Sequence, residues 1–151
     1  MQEGELPVAP VAEAVTLDET SFAGRRFLLA EDNAINQEIA VELLTAYGAK
    51  VETRNDGQQA LLAFAASAEG YYDAVLMDIQ MPVMNGYEAA RRIRTCGHPQ
   101  AQSIPIIAMT ANVFTEDVLA ARNAGMDAHI AKPIDLTKLY QVLKEKMDAA
   151  D

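Results

Sequence analysis

Four short, mostly apolar runs in this sequence each end in polar side chains that could take part in chemistry. Apolar runs bounded by turn signals are typical of buried strands. The polar groups would then lie at the carboxyl ends of strands, where parallel α/β sheets form their ligand sites. The groups are Asp78 after residues 72–77, the pair Glu31 and Asp32 after residues 27–30, Thr110 after residues 104–109, and Lys132 after residues 129–131.

Each of these groups also has an ordinary structural explanation. Single polar residues after strands commonly cap helices or turns, and lysine is mostly exposed. The combination is more informative, because adjacent carboxylates suit a hard cation such as Mg²⁺ and a hydroxyl and an ammonium suit phosphoryl oxygens. Phosphoryl transfer depends on positioning and charge neutralisation. The set therefore predicts a site for phosphoryl transfer with one carboxylate, Asp78, as nucleophile or acceptor.

The elements that must position these groups alternate along the chain. Residues 51–53 form a further short strand, and apolar residues recur at helical spacing after residues 32, 56 and 135. Pro82 and the pair Asn85-Gly86 turn the chain after Asp78 into another short helix. Thr115 is the predicted N-cap of a further helix. Five strand–helix units predict a doubly wound parallel sheet, because parallel strands need crossover helices and those crossovers are right-handed.

Several segments resemble the receiver domain of two-component signalling, in the type found in hybrid histidine kinases. The resemblance spans about residues 25 to 147 and keeps the order and spacing of its motifs. It implies a flavodoxin-like α/β fold with five helices and strand order 2-1-3-4-5, which would place Glu31, Asp32 and Asp78 in one cleft. The matching segments are residues 28–37, 76–89, 105–112, 124–127 and 131–134.

The resemblance also implies a mechanism and its partners. A histidine kinase domain or a histidine phosphotransfer protein would give its phosphoryl group to Asp78, and the surface would then switch. Mg²⁺ would be the only cofactor. The implied metal ligands are Glu31 (through water), Asp32, Asp78 and the backbone carbonyl of Gln80; Lys132 and Thr110 would contact the phosphoryl group, and Thr110 and His129 would form the switch.

Two positions depart from the family pattern. Asn85 stands where the family usually has Asp, and this position lies off the metal site. His129 stands where the family usually has Tyr or Phe, three residues before Lys132. An imidazole is smaller and more polar than a tyrosine ring, so we expect His129 to lie mostly outward in the free protein.

Three other functions remain open at this point. The chain could be a stand-alone single-domain response regulator rather than a part of a hybrid kinase. A phosphatase with an Asp nucleophile would want a second carboxylate two residues later, where this chain has Gln80. A pseudo-receiver that only binds partners would not need the acidic pair Glu31 and Asp32 in combination with Asp78 and Lys132.

Composition limits the remaining classes of protein. A net charge of −10 argues against nucleic acid as a partner. No apolar run reaches membrane-spanning length, so we expect no direct membrane contact, although the parent protein could be anchored. The single cysteine, Cys96, cannot form an internal disulfide and suits a reducing, cytoplasmic location. A homodimer remains possible.

The first residues differ from the rest of the chain. They carry three glutamates before Val15, two prolines and no apolar periodicity, which is typical of a linker. We expect residues 1–23 to be a flexible acidic linker, 24–148 the receiver domain and 149–151 a tail, in a chain excised from a longer protein.

Overall fold

The computed structural model describes residues 17–110, 115–132 and 134–150, with the side chains of all of these except residues 115–118 and 146–150. Strands and helices alternate along the described chain. The strands are β1 (Arg26–Ala30), β2 (Lys50–Arg54), β3 (Ala74–Asp78), β4 (Ile106–Thr110) and β5 (Ala128–Ala131). The helices are α1 (Ala34–Ala46), α2 (Gly57–Ala65), α3 (Gly86–Arg94), α4 (Thr115–Asn123) and α5 (Leu136–Ala150).

The strands form one sheet in the order β2-β1-β3-β4-β5, and every neighbouring pair is parallel. The predicted five-stranded, doubly wound sheet with order 2-1-3-4-5 is therefore confirmed. Strand order reverses at β1, which lies between β2 and β3. The loops after β1 and β3 leave the sheet side by side, and this is the position where ligands bind in open α/β sheets.

Helices cover both faces of the sheet because β3 is apolar on both sides. All of its residues are buried. Successive side chains of a strand point to opposite faces. Val75 and Met77 thus pack with Phe64 and Ile93 in one core cluster, and the intervening Leu76 packs in a second cluster. The second cluster also contains Phe27, Leu44, Ile107, Leu139 and Leu143.

A polar side chain caps each of the first three helices. Asn33, Asp56 and Asn85 have extended backbones, and each side chain accepts a hydrogen bond from the N–H three residues later. Such caps satisfy backbone donors that have no partner within the helix. They also fix the loops that connect these helices to the carboxyl ends of the strands. The donors are Asn36 at 2.9 Å, Gln59 at 2.8 Å and Glu88 at 2.9 Å.

The residues before β1 pack on the domain. Phe22 is 1% exposed, and its ring lies 5.7 Å from the rings of Phe27 and Tyr140. Its backbone N–H donates to the carbonyl of Tyr47 at 2.8 Å. The packed part of the chain therefore includes a residue of the segment 1–23 that the sequence predicted as linker. The rest of that prediction, for residues 1–16, lies outside the described residues.

None of the helices in the described residues combines the length and the apolar character needed to cross a membrane. The longest, α5, packs through Leu139 and Leu143 against the sheet and through Tyr140 against Phe22.

Replacing Phe22 should show how much the segment before β1 stabilises the domain. Phe22→Ala removes a fully buried ring, and such truncations cost about 3 kcal/mol of unfolding free energy or more. Leu62→Ala is the control, because Leu62 is 60% exposed and should change stability by less than about 0.5 kcal/mol. Urea unfolding measures both variants. Equal stabilities for the two variants would mean that residues 17–22 are linker after all.

Candidate functional site

Three carboxylates meet where β1 and β3 lie side by side. Ala30 pairs with Met77 in the register of the two strands, so the residues that follow β1 lie next to the end of β3. These are Glu31 and Asp32 on one side and Asp78 on the other. Oxygen atoms from all three carboxylates lie within 4.8 Å of one another. The structure thus brings together the acidic residues that the sequence predicted for one cleft.

Lys132 reaches the same cleft from the end of β5. Its Nζ lies 3.0 Å from Oε1 of Glu31 and 3.0 Å from Oδ2 of Asp78. Its backbone N–H donates to the carbonyl of Thr110 at 2.9 Å, which ties the loop after β5 to the end of β4. One ammonium therefore bridges two carboxylates. Pro133, which follows it and belongs to the predicted Lys-Pro motif, lies outside the described residues.

Burial makes this charge arrangement costly. Glu31 is 2% exposed and Asp78 is 3% exposed, whereas Asp32 is exposed to solvent. Burial raises the pKa of Asp78 to about 6; the hydrogen bond from Lys132 opposes this increase, and the charge of Glu31 adds to it. Burial lowers the pKa of Lys132, but its bonds to Asp78 and Glu31 outweigh burial and raise the pKa above its usual value. The charged forms of Asp78 and Lys132 therefore face each other in the cleft at neutral pH.

Backbone donors hold the buried carboxylates in place. The N–H of Asn33 donates to Oε2 of Glu31 at 3.1 Å, and the side-chain amide of Gln37 donates to the carbonyl oxygen of Glu31. The N–H of Gln80 donates to Oδ1 of Asp78 at 3.3 Å. Each carboxylate therefore has one oxygen bound to Lys132 and the other bound to a backbone N–H.

An open cleft lies beside these carboxylates. Its walls include Asp32, Gln80, Pro82 and Asn85. The predicted metal ligand on the backbone of Gln80 thus belongs to a loop that lines the cleft together with the exposed carboxylate of Asp32. Carboxylate and carbonyl oxygens are the donors that Mg²⁺ prefers, and an accessible cleft leaves room for its waters. The donor set fits a magnesium ion.

Thr110 and His129 occupy neighbouring strands. Thr110 ends β4 and is half-buried beside Ala131 of β5. His129 lies opposite Ala108, is half-buried, and lines a separate cavity between α4 and α5 rather than the acidic cleft. Burial, and to a smaller extent the charge of Lys138, lowers the pKa of His129. Whether His129 moves on phosphorylation stays a prediction.

Gly86 supports the site in a way that the sequence analysis missed. A Cβ at this position would lie 2.3 Å from the carbonyl oxygen of Asp78, so any side chain would push α3 away from the end of β3. Its N–H also donates to the carbonyl of Ile79 at 2.8 Å. A signal was present, because glycine disfavours helices and the first residue of α3 is glycine. A glycine at the start of a helix indicates that another backbone segment passes close to it.

Val83, in the same loop, has a φ of 68°, which is rare for a β-branched residue. It is 75% exposed, so its side chain does not explain the strain by packing. Strained backbone is often found at functional loops. Here it lies between the phosphoacceptor candidate Asp78 and the cap of α3.

Residues 27–144 match the family model of the response regulator receiver domain. The chain therefore belongs to the receiver domain family, the class that its fold and its acidic cleft define. A curated relative is the hybrid signal transduction histidine kinase L of Dictyostelium discoideum, which is 38% identical over 137 residues. The match covers 89% of this chain but 8% of that protein. The chain thus corresponds to less than a tenth of this relative.

Solved structures agree with this assignment. The receiver domain of a sensor histidine kinase from Pseudomonas aeruginosa PAO1 is 36% identical, with a TM-score of 0.72 over 83% of this chain and 99% of that one. That structure has a magnesium ion coordinated in its active site cleft. A chain in the Saccharomyces cerevisiae complex of the histidine phosphotransfer protein Ypd1 with the receiver domain of Ssk1 is 29% identical. Its TM-score is 0.70, over 82% of this chain and 89% of that one.

Asp78→Asn should stabilise the metal-free domain at neutral pH. Folded Asp78 has a pKa of about 6 against 3.8 for an ordinary Asp, so the folded state binds this proton more tightly than the unfolded state. Wild-type stability therefore falls as pH rises from about 4 to 6, and the variant lacks this loss. The pKa of about 6 already includes the opposing effect of Lys132. We expect a gain of about 1–2 kcal/mol at pH 7.5 and a smaller one at pH 4.5.

Urea unfolding in EDTA measures this difference. The control is Glu38→Gln, which makes the same carboxylate-to-amide change at an exposed position of α1 and should be neutral at both pH values. A variant less stable than wild type at pH 7.5 would show that the Lys132 bond outweighs the cost of burying the Asp78 charge.

Proposed function

We propose that this domain accepts a phosphoryl group from a phosphohistidine on the side chain of Asp78. The observation that carries the proposal is the bridged cluster: a buried Asp78 carboxylate, 3.0 Å from the Lys132 ammonium, with two further carboxylates beside it. A purely structural ion pair would not need the additional exposed carboxylate of Asp32. The proposed role is that of a phosphorelay receiver in a two-component system.

The reaction follows from the position of Asp78. A carboxylate oxygen attacks the phosphorus, the bond between phosphorus and the donor imidazole nitrogen breaks, and its electron pair returns to the imidazole, which takes up a proton. The product on this chain is an aspartyl phosphate. Lys132, which binds Oδ2 of Asp78, is placed to pair with a phosphoryl oxygen as negative charge accumulates.

The residues that would hold Mg²⁺ are Asp32, Asp78 and the backbone carbonyl of Gln80. Glu31 would act through water, as the resemblance to the receiver domain family implies. When bound, the ion supplies positive charge that offsets the repulsion between the Asp78 carboxylate and an incoming phosphoryl group. The excess of negative charge in the cleft supports this assignment.

The output would pass through β4 and β5. Thr110 stands at the end of β4, where its hydroxyl could donate to a phosphoryl oxygen on Asp78. His129 lies on the neighbouring strand, two positions back in the register, and would change its rotamer as Thr110 moves. Such a local change biases a surface with two states.

The donor would be a histidine kinase domain or a histidine phosphotransfer protein. The solved complex of a receiver domain with such a protein and the relatives among hybrid histidine kinases both support this choice. The same relatives support an origin in a hybrid sensor kinase over a stand-alone regulator. A cytoplasmic location suits this role. Gln80 stands where an Asp-dependent phosphatase would need its second carboxylate, which disfavours that function.

The first test of this function is the site of phosphorylation. Wild type incubated with acetyl phosphate and Mg²⁺ should gain the mass of one phosphoryl group, and Asp78→Asn should gain none. Asp135→Asn is the matched control, because Asp135 caps α5 through the N–H of Lys138 and an Asn can keep that bond. It should be phosphorylated like wild type. Equal mass gains on wild type and Asp78→Asn would show that Asp78 is not the phosphorylation site.

The second test concerns the metal alone. Addition of Mg²⁺ should shift the amide resonances of Asp32, Asp78 and Gln80, and Asp32→Asn should weaken the affinity by about tenfold or more, since even outer-sphere changes have effects of this size. Asp135→Asn again serves as control. Unchanged Mg²⁺ affinity in Asp32→Asn would remove Asp32 from the ligand set.

A further inference from the structure

A second cavity lies away from the acidic cleft, between α4, the start of β5 and α5. Its volume is about 230 Å³. Arg122 of α4, His129 of β5 and Lys138 of α5 line it. The carboxylates and the lysine of the phosphoacceptor cleft do not belong to its walls. The cavity is therefore a distinct feature, for which the proposed phosphoryl transfer supplies no role.

The lining of the cavity has more cationic than anionic side chains. Asp127 also lines it, but its Oδ2 accepts bonds from Nη2 of Arg94 at 2.8 Å and from the N–H of Ile106 at 2.9 Å. Arg94 thus balances this carboxylate from outside the cavity. Within the described side chains, neither Arg122 nor Lys138 forms an ion pair. Two solvent-exposed cations thus line one cavity in a chain whose net charge is −10.

His129 adds a hydrogen-bonding group between the two cations. Its ring is half-buried in the wall of the cavity, and the charge of Lys138 is close enough to disfavour a second positive charge on the imidazole. A neutral imidazole still has one N–H to donate. An anion in the cavity would accept this bond and relieve the repulsion between the imidazole and Lys138.

We propose that this cavity binds a small phosphate dianion, either inorganic phosphate or the phosphate of a short phosphomonoester. Two permanent cations and an imidazole N–H match the charge and the acceptors of a phosphate group. A cavity of about 230 Å³ is smaller than typical sites for drug-sized ligands, which suits a small anion. Met126 and Ala121 supply apolar walls for a short carbon chain.

The site goes beyond the proposed phosphoacceptor function. A bound dianion would connect α4 to α5 across β5, the strand whose end presents Lys132 to Asp78. It would also hold the imidazole of His129 in the cavity. The site would thus let a small metabolite act on the element through which the phosphorylated state is expected to reach the surface.

The test is a titration of the full chain, loaded with Mg²⁺, at constant ionic strength. Inorganic phosphate and glycerol phosphate are added in separate series while the imidazole resonances of His129 and the amide of Ala128 are followed by NMR. We expect saturable shifts and an increase in the pKa of His129. Tighter binding of glycerol phosphate would identify a phosphomonoester as the source, and equal binding would identify the phosphate group alone.

Variants separate this site from other anion sites. Arg122→Gln and Lys138→Gln should each weaken binding about tenfold, because each removes a charged hydrogen bond. Arg91→Gln makes the same charge change on exposed α3 and should leave the affinity unchanged. Asp78→Asn should keep the His129 response, which separates it from binding in the acidic cleft.

Three results would overturn the proposal. The first is no saturable His129 response up to about 20 mM of either ligand, which corresponds to a binding free energy weaker than about 2.3 kcal/mol. The second is an equal loss of affinity in Arg91→Gln, which would indicate general charge screening. The third is loss of the response in Asp78→Asn.

Discussion

The bridge from Lys132 to two buried carboxylates is the interaction on which the rest of this structure depends. Its Nζ lies 3.0 Å from Glu31 and 3.0 Å from Asp78, and both carboxylates are nearly inaccessible to solvent. Buried charges are tolerated only when they are paired and hydrogen-bonded. Burial raises the pKa of Asp78, and one ammonium shared between two acids offsets this increase only in part. The cleft therefore still lacks positive charge. A bound metal ion would supply this positive charge and would thereby offset the repulsion of an incoming phosphoryl group.

Strand pairing, core packing and loop contacts hold this electrostatically unfavourable cluster together. The parallel register of β1 and β3 places the acids side by side, and the end of β5 delivers the lysine across β4. Buried apolar residues on both faces of β3 stabilise the sheet. The close approach at Gly86 and the cap at Asn85 then fix the loop after Asp78. Stability from the core thus offsets the electrostatic cost at one edge of the sheet.

Much of this architecture could be predicted from the sequence because its signals are local. Apolar runs with polar ends marked β1, β3, β4 and β5, and the resemblance to receiver domains supplied the strand order. Packing between residues far apart in the sequence gives no comparable local pattern. Phe22 lies in a stretch that looks like linker, yet it packs against Tyr140, more than a hundred positions along the chain. The cavity of Arg122 and Lys138 likewise depends on how α4 and α5 meet, which no spacing reveals.

The titration of Asp78 tests the central claim, a buried carboxylate with too little positive charge around it. The carboxyl carbon of Asp78, labelled with ¹³C, is followed by NMR from pH 3 to 9, first in EDTA and then with saturating Mg²⁺. The account predicts a pKa of about 6 without metal and a decrease of at least about one unit with Mg²⁺, because a nearby cation favours the charged form. An ordinary pKa without metal, or a raised pKa that Mg²⁺ leaves unchanged, would contradict it.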